Sequence, residues 1–334
     1  MISIGVIGYG YWGPNIVRNF DSNSSTKVHM VCDQDPGRLA QAKTLYPSIE
    51  VSSSSDELIK CKEIDAVVIA TPVASHFTLA LAALKAGKHV LIEKPIASTA
   101  EQAQKLLDEA NKSGLLVMVD HTFLYTGAVR KMRELVNEKD FGDLRYYDST
   151  RINLGLFQND VNVLWDLAVH DLSIMSYILG RPPLQVSATG HSLSIGQPEY
   201  AAFMTVFFDD VIAHINVNWL SPVKVRRTLV GGSKKMIVYD DLEASEKIKL
   251  YDKGIAITET PEDVRKLLVS YRSGDMWSPN LEASEALAVE AAHFAACIEG
   301  KEKPIASGEQ GLELVRILEA ANKSMSSNGA PVKL

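Results

Sequence analysis

Cysteine is scarce in this chain. The three present in 334 residues, Cys32, Cys61 and Cys297, stand far apart with no Cys-x-x-Cys spacing. That pattern argues against a disulfide framework and against a zinc site, and it fits a reducing compartment. No metal is expected. Runs of Lys or Arg long enough to follow a phosphate backbone are also missing, and the formal net charge is −7, so nucleic acid is not an expected partner. No stretch approaches the roughly 20 apolar residues that cross a bilayer. The chain opens on a strand-like run, Ile2–Ile7, rather than on a basic and apolar leader, so a cytoplasmic protein without membrane contact is expected. Internal repeats and low-complexity tracts are lacking beyond four serines at 52–55, which read as a loop ending in a helix cap.

What is present is the material for two ordinary cores. Hydrophobic residues make up 46% of the chain and charged residues 22%, the balance of a soluble globular protein that needs no disulfide or metal to fold. Over the first 120 residues, strand and helix signals alternate. Apolar β-rich runs at Ile4–Ile7, Val28–Cys32, Ala66–Ala70, Val90–Glu93 and Leu115–Val119 are separated by helical patterns such as Phe77–Ala86 and Thr99–Lys112. Ser98 with Glu101 reads as a capping box, and Gly87 and Gly114 stand where the helices should stop. Apolar strands alternating with helices predict a parallel sheet covered on both faces, a Rossmann-type doubly wound domain over 1–120. From 121 to 334 the rhythm differs. A strong helix at about 162–179 is followed by strand-like runs at 184–191, 200–208, 211–219, 224–230 and 235–240, then by helical periodicity at 281–299 and 308–326. The second domain is therefore expected to be α+β with a large, mostly antiparallel open sheet.

The turn after the first strand reads Gly8-Tyr9-Gly10-Tyr11-Trp12-Gly13-Pro14. A lone G-x-G-x-x-G is a weak signal; directly after a strand and opening a helix it is stronger. The first glycine allows the tight turn, the second lets backbone approach a pyrophosphate, and the third lets helix lie close on strand. Proline in the first helical turn forfeits no hydrogen bond, and the exposed amides there favour an anion. Asp33 ends the second strand, twenty residues past Gly13, where a carboxylate binds ribose hydroxyls and repels a 2′-phosphate. Residue 34 is Gln rather than Arg, so NAD is expected over NADP. Gly8, Gly10, Tyr11, Trp12 and Gly13 join Asp33 as expected cofactor contacts. Arg38 reads either as a cover for the adenine or as a solvated helix residue. Thr71, Pro72 and His76 around the end of the next strand, with Glu93 and Lys94, complete that set.

Glu93-Lys94-Pro95 closes the strand Val90–Glu93, and ligands of open α/β sheets gather at such carboxyl ends. Asp166 and His170 are four apart in a helical stretch, so they share one face, which Ser173 and Tyr177 extend into a polar stripe. Such a histidine is often only a satisfied core residue. Oxidising a secondary alcohol, however, needs a base for the hydroxyl proton, which an imidazole supplies near neutral pH. A carboxylate one turn away orients the ring, and an ammonium such as that of Lys94 stabilises the developing alkoxide.

These motifs together resemble the glucose–fructose oxidoreductase, inositol dehydrogenase and MocA family. The likeness rests on the glycine fingerprint at 8–13, Asp33, the run Ala86-Gly87-Lys88-His89-Val90-Leu91-Ile92-Glu93-Lys94-Pro95, and Asp166-x-x-x-His170; the long run is the part specific to the family. The resemblance implies a Rossmann domain with an appended α/β domain and NAD(P)-linked oxidation or reduction of sugars or polyols. It also implies that Lys94 and His170 act on the reacting hydroxyl with Asp166 beside them. Where many members have glycine, this chain has Trp165 before the Asp and Ala168-Val169 before the His, which alters the expected pocket shape.

Gly10-Tyr11-Trp12-Gly13-Pro14-Asn15 and Trp165–Asp171 look most like the branch of UDP-N-acetylglucosamine-type 3-dehydrogenases of surface-polysaccharide synthesis. A nucleotide-linked sugar oxidised at C3 is the substrate this implies. Arg151, Arg130 or Arg226 would hold it, although the same arginines read equally as surface charge. His121, next to Asp120 at the domain junction, joins Lys94, Arg151, Asp166 and His170 as an expected substrate contact. Alternatives are a free-polyol, inositol-like dehydrogenase and a non-catalytic NAD-binding sensor. Alternating apolar residues Val206, Phe208, Ile215 and Val217 suggest a sheet face that meets another subunit, giving a dimer or tetramer.

Overall fold

Strand and helix alternate from the first residue of the computed structural model, which describes residues 1–155, 161–192, 197–257 and 269–334. The chain divides into two compact units, Met1–Thr126 with Ser284–Glu319, and Gly127–Ala283 with Ala320–Leu334. Among the described residues no helix is long and apolar enough to cross a membrane.

In the first unit, six parallel strands lie in the order β3-β2-β1-β4-β5-β6. They are β1 (Ile2–Ile7), β2 (Thr26–Cys32), β3 (Glu50–Ser52), β4 (Ala66–Ile69), β5 (His89–Glu93) and β6 (Val117–Asp120). The helices between them are α1 (Gly13–Ser22), α2 (Pro36–Leu45), α3 (Ser55–Lys60), α4 (Val73–Lys85) and α5 (Ala100–Ser113). Strand order reverses direction between β1 and β4, which opens a crevice at their carboxyl ends. Central strands are apolar on both faces; Ile4, Val6, Val67, Val68, Ile69, Val90 and Ile92 are at most 1% exposed, as a sheet covered on both sides requires. Two local details differ from the sequence reading. β3 occupies Glu50–Ser52, taking in the first of the four serines, and its three residues are too few to show a period. The cap of α5 is Thr99, not Ser98, and its hydroxyl accepts the amide of Gln102 at 3.2 Å.

Residues 284–319 return to this first unit, whereas the sequence reading assigned all of 121–334 to the second domain. Helix α8 (Ala286–Ile298) lies on α1 through an edge-to-face pair, Phe20 with Phe294, 6.1 Å between ring centroids. Just before it, Glu285 takes two hydrogen bonds from Arg18, at 2.9 and 2.5 Å, and one from Asn19 at 3.0 Å. Helical periodicity identifies an apolar face but says nothing about which sheet that face will meet.

In the second unit nine strands form a sheet in the order β16-β13-β12-β11-β7-β10-β9-β8-β17. Every pair is antiparallel except β7 (Leu144–Leu154) with β10 (Ile212–Asn218). The other long strands are β8 (Gln185–His191), β9 (Ala201–Phe207), β11 (Leu220–Gly232) and β12 (Met236–Asp240). β13 (Ile248–Tyr251), β16 (Met276–Trp277) and β17 (Val332–Lys333) are short, and β14 (Gly254–Ile257) pairs separately with β15 (Val269–Arg272). Helix α6 (Gly127–Val136) precedes the sheet, and α9 (Gly308–Ser326) runs from the first unit into the second.

The faces of this sheet correct one expectation. Val206, Ile215 and Val217 are fully buried and Phe208 is 8% exposed, so they belong to the internal core rather than to a subunit contact. The opposite face is where apolar side chains remain accessible. There Phe203 is 50% and Ile212 48% exposed, and the Phe203 ring stacks on His214 at 6.3 Å.

β7 sits at the centre of the sheet, yet its inward positions are Tyr147, Ser149 and Arg151, all buried. They reach helix α7 (Val169–Leu179). Arg151 Nε donates to Asp171 Oδ2 at 2.7 Å and Nη2 to Oδ1 at 3.3 Å, while Ser149 Oγ donates to Oδ1 at 2.6 Å. The Tyr147 hydroxyl donates to the Asp171 carbonyl at 3.1 Å. With side chains 4% and 2% exposed, neither ion of the pair is solvated, so removing one partner leaves the other uncompensated. Arg151→Met should lower the unfolding free energy by about 3–5 kcal/mol, and the double variant Arg151→Met/Asp171→Leu should recover most of it. Denaturant titration of the three proteins measures both effects.

Candidate active site

The nucleotide cleft is built on three glycines, two of which cannot be larger. Gly8 has φ +101°, and a Cβ there would stand 2.4 Å from the Ala70 carbonyl oxygen. A Cβ at Gly13 would lie 2.6 Å from the Gly8 carbonyl oxygen, so α1 can sit on the end of β1 only without one. At Gly10 an added Cβ would meet only the Arg38 guanidinium, at 3.5 Å, leaving its backbone open to a ligand. No side chain caps the first turn of α1, and Pro14 lies within it. Pro14 has no amide hydrogen and the Asn15 amide bonds the Trp12 carbonyl at 3.0 Å, so what this end offers an anion is chiefly the positive end of the helix dipole.

Asp33, 9% exposed, is held in place by two backbone donors. The Tyr9 amide donates to Oδ2 at 2.6 Å and the Asp35 amide to Oδ1 at 2.9 Å. Each oxygen keeps a lone pair for a hydroxyl donor. Arg38, half-exposed, lies 3.5 Å from the same carboxylate and 3.7 Å from that of Asp35. The cleft has a volume of about 790 Å³ and is lined by Gly8, Gly10, Tyr11, Trp12, Asp33, Arg38, Thr71, Pro72 and Glu93, with Ser53, Ser75 and Leu79 among others. A glycine floor, an uncapped helix end and an oriented carboxylate suit a dinucleotide.

His76 has a different place. It is 1% exposed, and its ring nitrogens lie 2.7 Å from the Thr71 carbonyl and 2.8 Å from that of Pro95. It ties the loops after β4 and β5 together beneath the cleft rather than lining it. Burial, aided by the Lys94 charge, lowers its pKa although both carbonyls favour the protonated ring.

Beyond β5 lies a buried polar cluster that the sequence reading did not anticipate. Glu93 and Asp120 are direct neighbours in the β5–β6 register. Glu290 of α8, 1% exposed, faces Asp120. Burial, reinforced by Asp120, holds Glu93 and Glu290 well above the usual carboxyl range, and neither carboxyl oxygen of Glu290 has a hydrogen-bond partner among the described residues. Burial and the Lys94 charge push the His121 pKa down to about 3. The ring is 1% exposed, and neither of its nitrogens has a hydrogen-bond partner among the described residues. The one available signal was Glu290 itself, an acid in the stretch Ala286–Ile298, which is apolar apart from it, His293 and Cys297.

In the second unit, Asp166 and His170 are part-exposed and stand on either side of a change in helix type. Leu164–Ala168 is a π-helical turn and α7 follows at once. Asp166 Oδ2 accepts the Trp219 indole N–H at 3.0 Å, which fixes the carboxylate. The polar stripe expected from helical spacing divides: Ser173 is fully buried with its hydroxyl on the His170 carbonyl at 2.7 Å, and the Tyr177 ring lies under Arg133 at 5.7 Å.

The arginines expected to hold a substrate are engaged elsewhere. Arg151 is the buried partner of Asp171, Arg130 pairs with Glu282 at 2.7 Å, and Arg226 with Asp241 at 3.2 Å. A strand of alternating polar residues gave no sign that Arg151 points inward.

Comparison with known proteins agrees with this geometry. Residues 2–121 match the GFO/IDH/MocA profile described as an oxidoreductase family with an NAD-binding Rossmann fold, and residues 129–238 match the GFO/IDH/MocA C-terminal domain. A UDP-N-acetylglucosamine 3-dehydrogenase of Acidithiobacillus ferrooxidans is 26% identical over 286 residues, 83% of this chain and 86% of that one. An inositol 2-dehydrogenase of Saccharopolyspora erythraea is 32% identical over 195 residues, 57% of each chain. The solved structure of the A. ferrooxidans enzyme shares the fold, with a TM-score of 0.82 at 22% identity over 98% of both chains.

The carboxyl cluster makes stability depend on pH. A carboxyl kept protonated in the fold but free to ionise when unfolded contributes stability below its unfolded pKa. That stability is lost as pH rises toward the folded value. Glu290→Gln abolishes this loss, so its melting temperature relative to the parent should climb as pH rises above about 5. Thermal melts showing a constant difference over that range refute a protonated Glu290.

Proposed function

The chain belongs to the GFO/IDH/MocA oxidoreductase family, and from that membership we propose an NAD-dependent dehydrogenase acting on a ring hydroxyl, or the corresponding ketone, at C3 of a nucleotide-linked sugar. The observation that carries this reading is the cleft whose floor is glycine, whose ribose end holds Asp33 and whose wall includes Glu93, directly before Lys94. Bound NAD supplies the hydride acceptor. Lys94 places an ammonium against the oxygen that becomes an alkoxide, and His170 takes the hydroxyl proton on its ring. Asp166, oriented by the Trp219 indole, stabilises the imidazolium that results. The Asp33 carboxylate disfavours a 2′-phosphate, which supports NAD over NADP.

Support for the nucleotide sugar comes from the UDP-N-acetylglucosamine 3-dehydrogenase among the relatives. A second reading, a free-polyol dehydrogenase, is favoured by one observation. The guanidinium groups of Arg130, Arg151 and Arg226 are each paired with a carboxylate, so none of the three offers an unengaged charge to a pyrophosphate. Purified protein with NAD should reduce the nicotinamide on addition of UDP-N-acetylglucosamine and not of free inositols; the reverse outcome selects the second reading. No absorbance change with either class overturns the enzyme. Lys94→Ala and His170→Ala should each lower turnover by about 10²-fold or more with NADH affinity essentially retained. Undiminished turnover removes the residue from the mechanism.

A homo-oligomer, dimer or tetramer, is also proposed, formed through the outer face of the second unit's sheet where Phe203 and Ile212 are exposed. Phe203→Glu with Ile212→Glu should convert it to monomer in light scattering; a parent protein that is already monomeric at micromolar concentration refutes the assembly.

A further inference from the structure

Outside the nucleotide cleft, the first unit gathers one sulfur, one nitrogen and two carboxylates at a sheet edge. His29 lies on β2, Glu50 opens β3 beside it, and Cys61 and Glu63 belong to the turn between α3 and β4. Donor atoms of His29, Cys61 and Glu63 all lie within 4.8 Å of one another. The Cys61 thiol donates to Glu63 Oε2 at 3.1 Å, and His29 Nε2 stands 4.0 Å from Glu50 Oε2. None of the four residues lines the cleft.

The turn that presents Cys61 and Glu63 is fixed from below. Lys88, 8% exposed, donates to the Cys61 carbonyl at 2.8 Å and to the Ile64 carbonyl at 2.5 Å. One ammonium thereby clamps both ends of a four-residue turn. The Cys61 amide is also tied back to the Leu58 carbonyl at 3.2 Å. His29 is positioned independently, by its strand, so the two halves of the cluster meet through the fold and not through local flexibility.

We propose that His29, Cys61 and Glu63, with Glu50 or water as fourth ligand, form a zinc(II) site. A thiolate, an imidazole and carboxylate oxygen make a borderline-soft set that suits zinc and not magnesium or calcium. Bonds of about 2.0–2.3 Å to a tetrahedral ion put donor atoms roughly 3.3–3.8 Å apart, a spacing that side-chain rotation reaches from the observed one. On binding, the Cys61 thiol gives its proton to solvent and the sulfur takes the metal, while His29 contributes a neutral ring nitrogen. The ion would staple the β2–β3 edge to the α3–β4 turn, a structural role in the unit that carries the nucleotide cleft.

The test uses the full chain, freed of metal by chelator and titrated with zinc(II) in a calorimeter, with cobalt(II) as a spectroscopic probe. One equivalent should bind, raise the melting temperature and, with cobalt, give thiolate charge-transfer and tetrahedral ligand-field bands. Cys61→Ser and His29→Gln should each abolish the charge-transfer or ligand-field signature and weaken zinc by more than the about tenfold that loss of an outer-sphere partner gives. NADH affinity, unchanged in both, verifies that they fold, and Cys297→Ser should bind like the parent. Absence of stoichiometric zinc binding overturns the site, as does binding that persists undiminished in both variants.

Discussion

A single close approach governs the first unit: the start of α1 against the carbonyl of Gly8, where no Cβ fits at Gly13. Because helix and strand meet there without an intervening side chain, the Tyr9 amide is delivered to Asp33 across the β1–β2 boundary. The uncapped helix end therefore faces the crevice that strand order opens between β1 and β4. The cleft is less a pocket lined by chosen side chains than a backbone surface kept bare. Glycine is required twice for steric reasons, at Gly8 and Gly13, and tolerated once, at Gly10, because nothing should stand there.

Deeper along the same sheet, the protein manages charge by suppressing it. Burial and Asp120 raise the pKa of Glu93 and Glu290, while burial and the nearby Lys94 charge lower that of His121. His76 is lowered too, again by burial first. A low-dielectric setting strengthens whatever charge is present, which suits the role proposed for the Lys94 ammonium.

The alternation of strand and helix, the glycine turn and Asp33 were legible in the sequence because each is local. Apolar runs identify strands buried on both faces, and a motif of six residues carries its own turn geometry. What escaped was decided at long range. β7 has no apolar alternation, since Tyr147, Ser149 and Arg151 turn inward to meet Asp171. An arginine in a polar strand reads as surface until its partner, twenty residues on, is known to lie beneath it. Helix α8 joined the first unit through Phe294 on Phe20 and Glu285 on Arg18, contacts more than 250 residues apart in sequence. Glu290 and His121 likewise gained their character only from what the fold buried around them. The amphipathic sheet face was recognised as a feature, but its alternation was assigned to the wrong side; a period of two gives two faces and does not say which one the helices cover.

The parallel pairing of β7 with β10 also sets an order of events during synthesis. Both neighbours of β7 arrive late: Tyr146 pairs with Ile212 of parallel β10 on one side and with Gly231 of antiparallel β11 on the other, so neither ladder can close until those strands have emerged. Meanwhile the interior edge of β7 has only α7 to satisfy it, through the much shorter loop to Asp171. Non-local closure of this kind is slow relative to local contact. The ion pair therefore stands where a nascent chain can hold its central strand inward while the rest of the sheet is still being made.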